Sequence, residues 1–142
     1  MARIVPNAFQ LQRTCKLAFA PSWSTTDGGI KVGPNSSDPL AKSFRRLLPL
    51  YSTPEAGYTI QDEGAALYVH ALFAVRDRRL GIIEANFVSL PARLLALVQC
   101  NGKLIADDIE TGTLNAPIAA RLPADTASAL EACLGGGNAL RA

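Results

Sequence analysis

The sequence is poor in the residue types on which many function classes depend. Of its 142 residues only 6% are aromatic and 18% are charged. Its 14 lysines and arginines against 12 aspartates and glutamates give a net charge of +2, which excludes a long basic surface for coating nucleic acid. Because 49% of the residues are hydrophobic, a disordered tail is excluded as well. We therefore expect a folded, core-forming chain.

Cysteine and histidine are too few and too scattered to suggest a metal site. Cys15, Cys100 and Cys133 lie far apart, and their odd number argues against a disulfide scaffold. The single histidine, His70, cannot supply the two-ligand spacing of common zinc sites. We predict buried free thiols, a histidine hydrogen-bonded at a packed helix face, no metal ligand and no catalytic residue.

Long hydrophobic runs are absent too. No stretch approaches the roughly 18 to 20 apolar residues of a membrane span. Residues 1–7 hold too short an apolar stretch for a signal peptide. These features predict a cytoplasmic protein with neither a membrane nor a nucleic acid as its partner.

Turn-forming residues dominate the first part of the chain. A strand is predicted at Lys16–Ala20 and a helix over residues 38–49, with a glycine-containing loop between them. A brief strand over residues 58–60 follows. We divide the chain into a loop-rich segment, residues 1–60, and a helix-strand-helix segment, residues 61–142, of a single incomplete domain.

The second segment has the periodicity of helices that pack on a strand. Its predicted elements are a helix from the N-cap Asp62 to about Arg76, a buried strand over residues 80–87, a helix over residues 92–111 and a helix over residues 124–134. The first of these helices has an apolar stripe wide enough for burial on more than one side. We expect a bend at Gly102, where glycine costs about 1 kcal/mol relative to alanine.

Separated blocks of the sequence resemble a known family. The blocks are Tyr51–Glu55 (YSTPE), Leu67–Phe73 (LYVHALF), Ile83–Ser89 (IEANFVS) and Asp107–Asn115 (DDIETGTLN). In order and spacing they resemble the Gretchen Hagen, or auxin-responsive, family of acyl-acid amido synthetases. The loop Thr26–Pro34 is similar to the family's loop upstream of them. The resemblance concerns the middle of the family's large N-terminal domain.

The resemblance implies both a fold and an activity. The fold is α/β, with helices packed on a small, mostly parallel sheet, as in part of the N-terminal domain of an adenylate-forming enzyme. The activity is that of a ligase that uses ATP and Mg²⁺ to join a carboxylic acid to AMP, after which the amine of an amino acid attacks the acyl adenylate. A carboxylate needs this activation because its negative charge repels a nucleophile.

The resemblance also implies one binding site. Phe87 and Leu90 fall where family members line the acyl-acid pocket, after a strand and at the start of the next helix. Ligands of open α/β sheets bind at the carboxyl ends of strands, so this position is reasonable. The alternative is that Phe87 is a core aromatic.

Other parts of the family pattern are not found in these residues. The family's phosphate loop lies farther upstream, and its adenylate motifs lie downstream. The run Ser24–Lys31 has the hydroxyls, glycines and lysine of a phosphate cradle, but its position favours an ordinary loop. Gly102 stands where the family often has a bulky aromatic, so looser packing is expected there. We expect a truncated homologue that is inactive alone and binds no cofactor by itself.

Functions of different classes therefore remain open. One is a synthetase segment that needs further sequence for activity. Another is a non-catalytic protein that binds small carboxylic acids. The last is an interaction protein, and we expect self-association because strand edges of a partial sheet lack neighbours. Residues 107–110 are interpreted as a solvated helix end and Arg76–Arg79 as a basic helix terminus, rather than as sites.

Overall fold

The fold combines short strands with helices that follow them in the chain. The computed structural model describes residues 12–20, 22–33 and 45–135. In chain order the elements are β1 (Arg13–Leu17), β2 (Ser24–Thr25), β3 (Lys31–Val32), 3₁₀ helices at Leu48–Leu50 and Glu55–Thr59, α1 (Glu63–Arg76), β4 (Leu80–Ala85), α2 (Ser89–Thr111), α3 (Ala116–Ala119) and α4 (Ala124–Gly135). The prediction of an α/β class is confirmed.

The main sheet is a parallel pair made by β1 and β4. Cys15 pairs with Ile83 and Leu17 pairs with Ala85, and α1 lies between the two strands in sequence. A helical crossover of this kind is what parallel strands need, because a tight turn cannot connect them. On the other edge of β1, Thr14 forms an isolated parallel bridge with Tyr51. The predicted parallel sheet is therefore present.

The central helix is α1. Its N-cap is Asp62, whose carboxylate accepts a hydrogen bond of 2.7 Å from the backbone N–H of Ala65. Every residue from Ala65 to Ala74 is buried, because the helix packs against both β1 and α2. The predicted boundaries and the predicted burial on more than one side are both confirmed.

A kink divides α2. Asn101 has non-helical dihedrals, φ −117° and ψ 18°, next to Gly102, so the expected bend is confirmed. The amide side chain of Asn101 donates to the carbonyl of Leu97 at 3.1 Å. The helix ends at Gly112, whose φ of 72° is left-handed and favours glycine.

Several predicted strands are corrected by the structure. The first strand lies at Arg13–Leu17 instead of Lys16–Ala20. The prediction of a strand over residues 58–60 is wrong, because a 3₁₀ helix covers Glu55–Thr59. Pro54 is its N-cap, and the Gly57 N–H donates to the Pro54 carbonyl at 2.9 Å. The predicted buried strand ends at Ala85, and its central residues are exposed because no described element covers them.

Further differences concern helices and thiols. The predicted helix over residues 38–49 lies mostly outside the described residues, and α3 was not predicted. Cys15 is buried as expected, but Cys100 and Cys133 are exposed, because they lie on the outer faces of α2 and α4. Within the described ranges, no helix has both the length and the apolar character needed to cross a bilayer.

Candidate functional site

The carboxyl ends of β1 and β4 meet at one edge of the sheet. Because the strands are parallel and Leu17 pairs with Ala85, the segments that follow them leave the sheet side by side. In open α/β folds this is the edge at which ligands bind. The edge therefore brings together residues 18–20 after β1 and residues 86–88 after β4.

Phe87 lies in the turn that joins β4 to α2, and Leu90 lies in the first turn of α2. The backbone N–H of Leu90 donates to the carbonyl of Phe87 at 3.1 Å, which closes the turn. Leu90 is half-buried and packs against the core, whereas the side chain of Phe87 is 70% exposed. Phe87 is therefore not a core aromatic in the described part of the chain. Its ring is available at the strand-end edge.

Behind this edge, His70 joins three segments of the chain. Its Nε2 lies 2.9 Å from the carbonyl oxygen of Ala18, and its Nδ1 lies 2.9 Å from the hydroxyl of Thr53. Since a carbonyl can only accept, Nε2 carries the proton and Nδ1 accepts from Thr53. Burial lowers the pKa of His70 to about 4, which keeps the ring neutral, although the bond to Ala18 acts in the opposite direction. The predicted packed, hydrogen-bonded histidine is confirmed.

Aromatic and sulfur groups surround this histidine. The Tyr58 ring lies 5.1 Å from the His70 ring, and Phe19 contacts it edge-on at 6.2 Å. The Tyr58 hydroxyl donates to the carbonyl of Lys16 at 3.3 Å, and burial raises the pKa of that hydroxyl. Burial also raises the pKa of the Cys15 thiol to about 11, so the thiol stays protonated. These groups hold the end of β1 in place and leave no activated nucleophile there.

A second buried polar cluster centres on Asp108, which sequence reasoning missed. Its Oδ2 accepts from the Tyr68 hydroxyl at 2.9 Å, from the Asn115 side-chain amide at 2.8 Å and from the Asn115 backbone at 3.2 Å. Asp108 is only 4% exposed, so the prediction of a solvated helix end is wrong for this residue. Its neighbour Asp107 is exposed, as predicted.

The Asp108 cluster connects α1, α2 and α3. Tyr68 lies on α1, and burial is the first cause of the raised pKa of its hydroxyl. Asn115 also caps α3, because its side-chain oxygen accepts from the Ile118 N–H at 3.2 Å. An N-cap asparagine seven residues after Asp108 was the sequence feature that could have indicated the partner.

The run Ser24–Lys31 forms the β2–β3 hairpin. In its turn, the Gly29 N–H donates to the Thr26 carbonyl at 2.8 Å and the Ile30 N–H donates to the Thr26 hydroxyl at 3.1 Å. These amides are used within the turn, so they do not form a cradle for phosphate groups. Among the described residues, no group of three histidine, cysteine, aspartate or glutamate side chains could hold a metal ion.

A family model described as the GH3 family N-terminal domain matches residues 1–141. The chain belongs to the GH3 family. The solved structure of the GH3.15 acyl acid amido synthetase is similar in fold, with a TM-score of 0.70 and 20% sequence identity over 92% of this chain. No curated protein has a significant match to the sequence.

The GH3 membership confirms the resemblance drawn from the separated sequence blocks. This chain spans 23% of the GH3.15 acyl acid amido synthetase chain, so it corresponds to about a quarter of that protein. At 20% identity the structural likeness shows the GH3 fold, including helices on a parallel strand pair.

Proposed function

We propose that this chain forms one wall of the acyl-acid site of an ATP-dependent acyl-acid amido synthetase. The observation that carries the proposal is the exposed ring of Phe87 at the carboxyl end of the parallel β1–β4 pair of a GH3-family fold. An aromatic ring at a strand-end edge gives an apolar contact for the hydrophobic part of a carboxylic acid.

In this proposal each residue of the edge has a distinct part. Phe87 and Leu90 line the wall that contacts the acid, and Leu90 also fixes the turn by packing against the core. His70 is a positioning residue, because its bond to Ala18 holds the chain that leaves β1 beside that turn.

The adenylation step belongs to the full-length enzyme. GH3 membership implies ATP use by full-length members, and the substrates of the proposed synthetase are a small carboxylic acid and an amino acid. ATP with Mg²⁺ would supply a good leaving group to the carboxylate. The β2–β3 hairpin does not fit a triphosphate, since its Gly29 and Ile30 amides are bonded within their own turn. We therefore expect no pyrophosphate exchange from residues 1–142 alone.

Titration of the chain with hydrophobic acids tests the proposed wall. Calorimetry with indole-type and jasmonate-type acids should give saturable binding without ATP. Phe87→Ala should weaken it at least fivefold, because removing most of a phenyl contact costs about 1 kcal/mol or more. Val75→Ala is the control, since Val75 is a 51% exposed apolar side chain on α1. No saturable binding, or equal losses in the two variants, would refute the proposal.

Self-association is a second candidate function, favoured by the free edge of β4. Among the described residues β4 pairs with β1 only, and Ile82 and Ile83 are 51% and 38% exposed. An exposed apolar edge strand is a template for another strand. We expect an apparent molecular mass that increases with protein concentration in analytical ultracentrifugation. The Ile83→Lys variant should have an apparent mass closer to that of the monomer. A monomer at high concentration would exclude this function.

A further inference from the structure

The kink of α2 contains the only Asn-Gly pair of the sequence, Asn101 and Gly102. Each of the other asparagines is followed by alanine, serine or phenylalanine. An asparagine before a glycine is prone to a reaction within its own chain, in which the next backbone nitrogen attacks the side-chain amide. Glycine has no side chain that would shield this nitrogen, and its backbone rotates more freely than that of other residues. The pair is therefore a candidate for chemical modification.

The kink weakens the protection that a helix gives to such a pair. Ring closure needs rotation about the Cα–C bond of Asn101, which a regular helix opposes through its backbone hydrogen bonds. The dihedrals of Asn101, φ −117° and ψ 18°, lie outside the helical range. A Cβ atom on Gly102 would meet no atom within 4 Å, so the chain turns there without a collision. Local opening of α2 should thus occur most readily at this pair.

A hydrogen bond directs the side chain of Asn101 back along the helix. Its amide nitrogen donates to the carbonyl oxygen of Leu97 at 3.1 Å. Asn101 is only half-buried and Gly102 is exposed, so water competes with Leu97 for the amide. When this bond opens, the side-chain carbonyl carbon of Asn101 becomes accessible to the backbone nitrogen of Gly102.

A cavity of about 270 Å³ adjoins the pair and is lined by Cys100, Asn101, Lys103, Leu104 and Asp107. One water molecule occupies about 30 Å³ of the liquid, so the cavity has room for several. The side chains of Lys103 and Asp107 are polar and exposed, which favours hydration of the cavity. Water, the co-reactant of amide hydrolysis, therefore has access to Asn101.

We propose that Asn101 is a site of deamidation, which converts it into aspartate and isoaspartate. In the first step the backbone nitrogen of Gly102 loses its proton to water and bonds to the side-chain carbonyl carbon of Asn101. The bond from that carbon to Nδ2 breaks, and Nδ2 takes up a proton from water and leaves as ammonia. The product is a five-membered cyclic imide.

Water opens the imide in the second step. It adds to one of the two carbonyl carbons of the ring, the bond from that carbon to the Gly102 nitrogen breaks, and the nitrogen regains a proton. Addition at the former side-chain carbon gives aspartate. Addition at the main-chain carbon gives isoaspartate, in which the backbone continues through the side chain. The net reaction consumes one water, releases one ammonia and needs no oxidant or reductant.

Both products alter α2. Aspartate replaces the amide donor to the Leu97 carbonyl by a carboxylate, which cannot donate at neutral pH. Isoaspartate adds a methylene group to the main chain and so interrupts the helical hydrogen bonds. Beyond the kink, α2 carries Asp108, which bonds to Tyr68 and Asn115. Modification at residue 101 should therefore lower the melting temperature of the chain.

Ageing of the whole chain in mildly alkaline buffer tests the proposal. Peptide mass spectrometry measures the replacement of the amide NH₂ by OH, and a purified isoaspartyl O-methyltransferase with labelled S-adenosylmethionine detects isoaspartate. Conversion of Asn101 should be at least tenfold faster than that of Asn115, which precedes alanine and is bonded on both sides. Equal rates at the two asparagines, or no methyl acceptance after ageing, would overturn the proposal.

Variants and an unfolded reference separate the chemistry of the pair from the effect of the kink. Gly102→Ala should slow the conversion of Asn101 at least tenfold, whereas Gly28→Ala, at an exposed glycine of the hairpin, is the control and should leave the rate unchanged. The folded chain should react no more than about a hundredfold more slowly than the chain unfolded in urea, since opening at the kink is local. A larger ratio, or equal rates in Gly102→Ala and the parent, would refute the assignment.

Discussion

Replacing Asp108 by alanine tests whether one carboxylate holds three helices together. The change removes the acceptor of three hydrogen bonds, two from Asn115 and one from Tyr68. Tyr68 is only 3% exposed, so its hydroxyl would remain buried without this acceptor, at a cost of about 1–3 kcal/mol. Asn115 is half-buried and loses the support of its cap on α3, which adds about 1 kcal/mol.

The expected loss in the free energy of unfolding is therefore about 2–4 kcal/mol. Urea denaturation of parent and variant at the same protein concentration measures it. Asp107→Ala is the control, because Asp107 is the exposed neighbour in the same sequence block and should change stability by less than about 0.5 kcal/mol.

A double-mutant cycle localises the effect. Tyr68→Phe removes only the hydroxyl and should cost about 1–2 kcal/mol in the parent and clearly less in the Asp108→Ala background. The reasoning is refuted if Asp107→Ala costs as much as Asp108→Ala. Strict additivity of Tyr68→Phe and Asp108→Ala would refute the shared hydrogen bond.

Two further predictions concern His70 and Gly102. The pKa of His70 is about 4 in the folded chain against the ordinary 6.5, so the unfolded chain takes up a proton first as the pH falls. Above pH 6.5 the contribution of the neutral His70 to the free energy of unfolding should be fully present. As the pH falls toward 4, the free energy of unfolding should decrease by up to about 3 kcal/mol, which urea denaturation at several pH values will measure. The His70→Gln variant should lose this pH dependence. An unchanged slope of the free energy of unfolding against pH would contradict the low pKa assigned to His70. Gly102→Ala should raise the free energy of unfolding by about 1 kcal/mol, because its Cβ meets no atom within 4 Å, and a lower melting temperature would contradict this.

Local chemistry made some elements predictable from sequence. The N-cap Asp62 and the charged end at Arg76 define α1, and its wide apolar stripe indicated burial. Gly102 indicated the kink, and the left-handed Gly112 ends α2. These features depend on neighbours within a few residues, so a periodicity argument captures them.

The burial of Asp108 could not be predicted in the same way. Its Tyr68 partner lies 40 residues earlier, on another helix, and only the tertiary packing of α1 against α2 brings the two together. The exposure of β4 was missed for a related reason. An apolar run predicts a strand that can be buried, but the elements around it decide whether it is.

The place of Phe87 and Leu90 in the chain fold was predictable from sequence, but the groups around them were not. The positions of Phe87 after a strand and of Leu90 at the start of the next helix followed from the resemblance and from the predicted strand. The contact of His70 with Ala18 and Thr53 joins residues 52 and 17 positions apart, which spacing alone does not reveal.

The side chain of Asn115 makes two hydrogen bonds that together fix the length of the connection after α2. The same side chain bonds back to Asp108 and forward to the Ile118 N–H, so an insertion or deletion within residues 112–114 would break one of these bonds or both. Exchange of this region with another GH3 protein should therefore transfer residues 108–118 as a single block. Changes of loop length are better placed beyond α3, where Pro123 leads into α4.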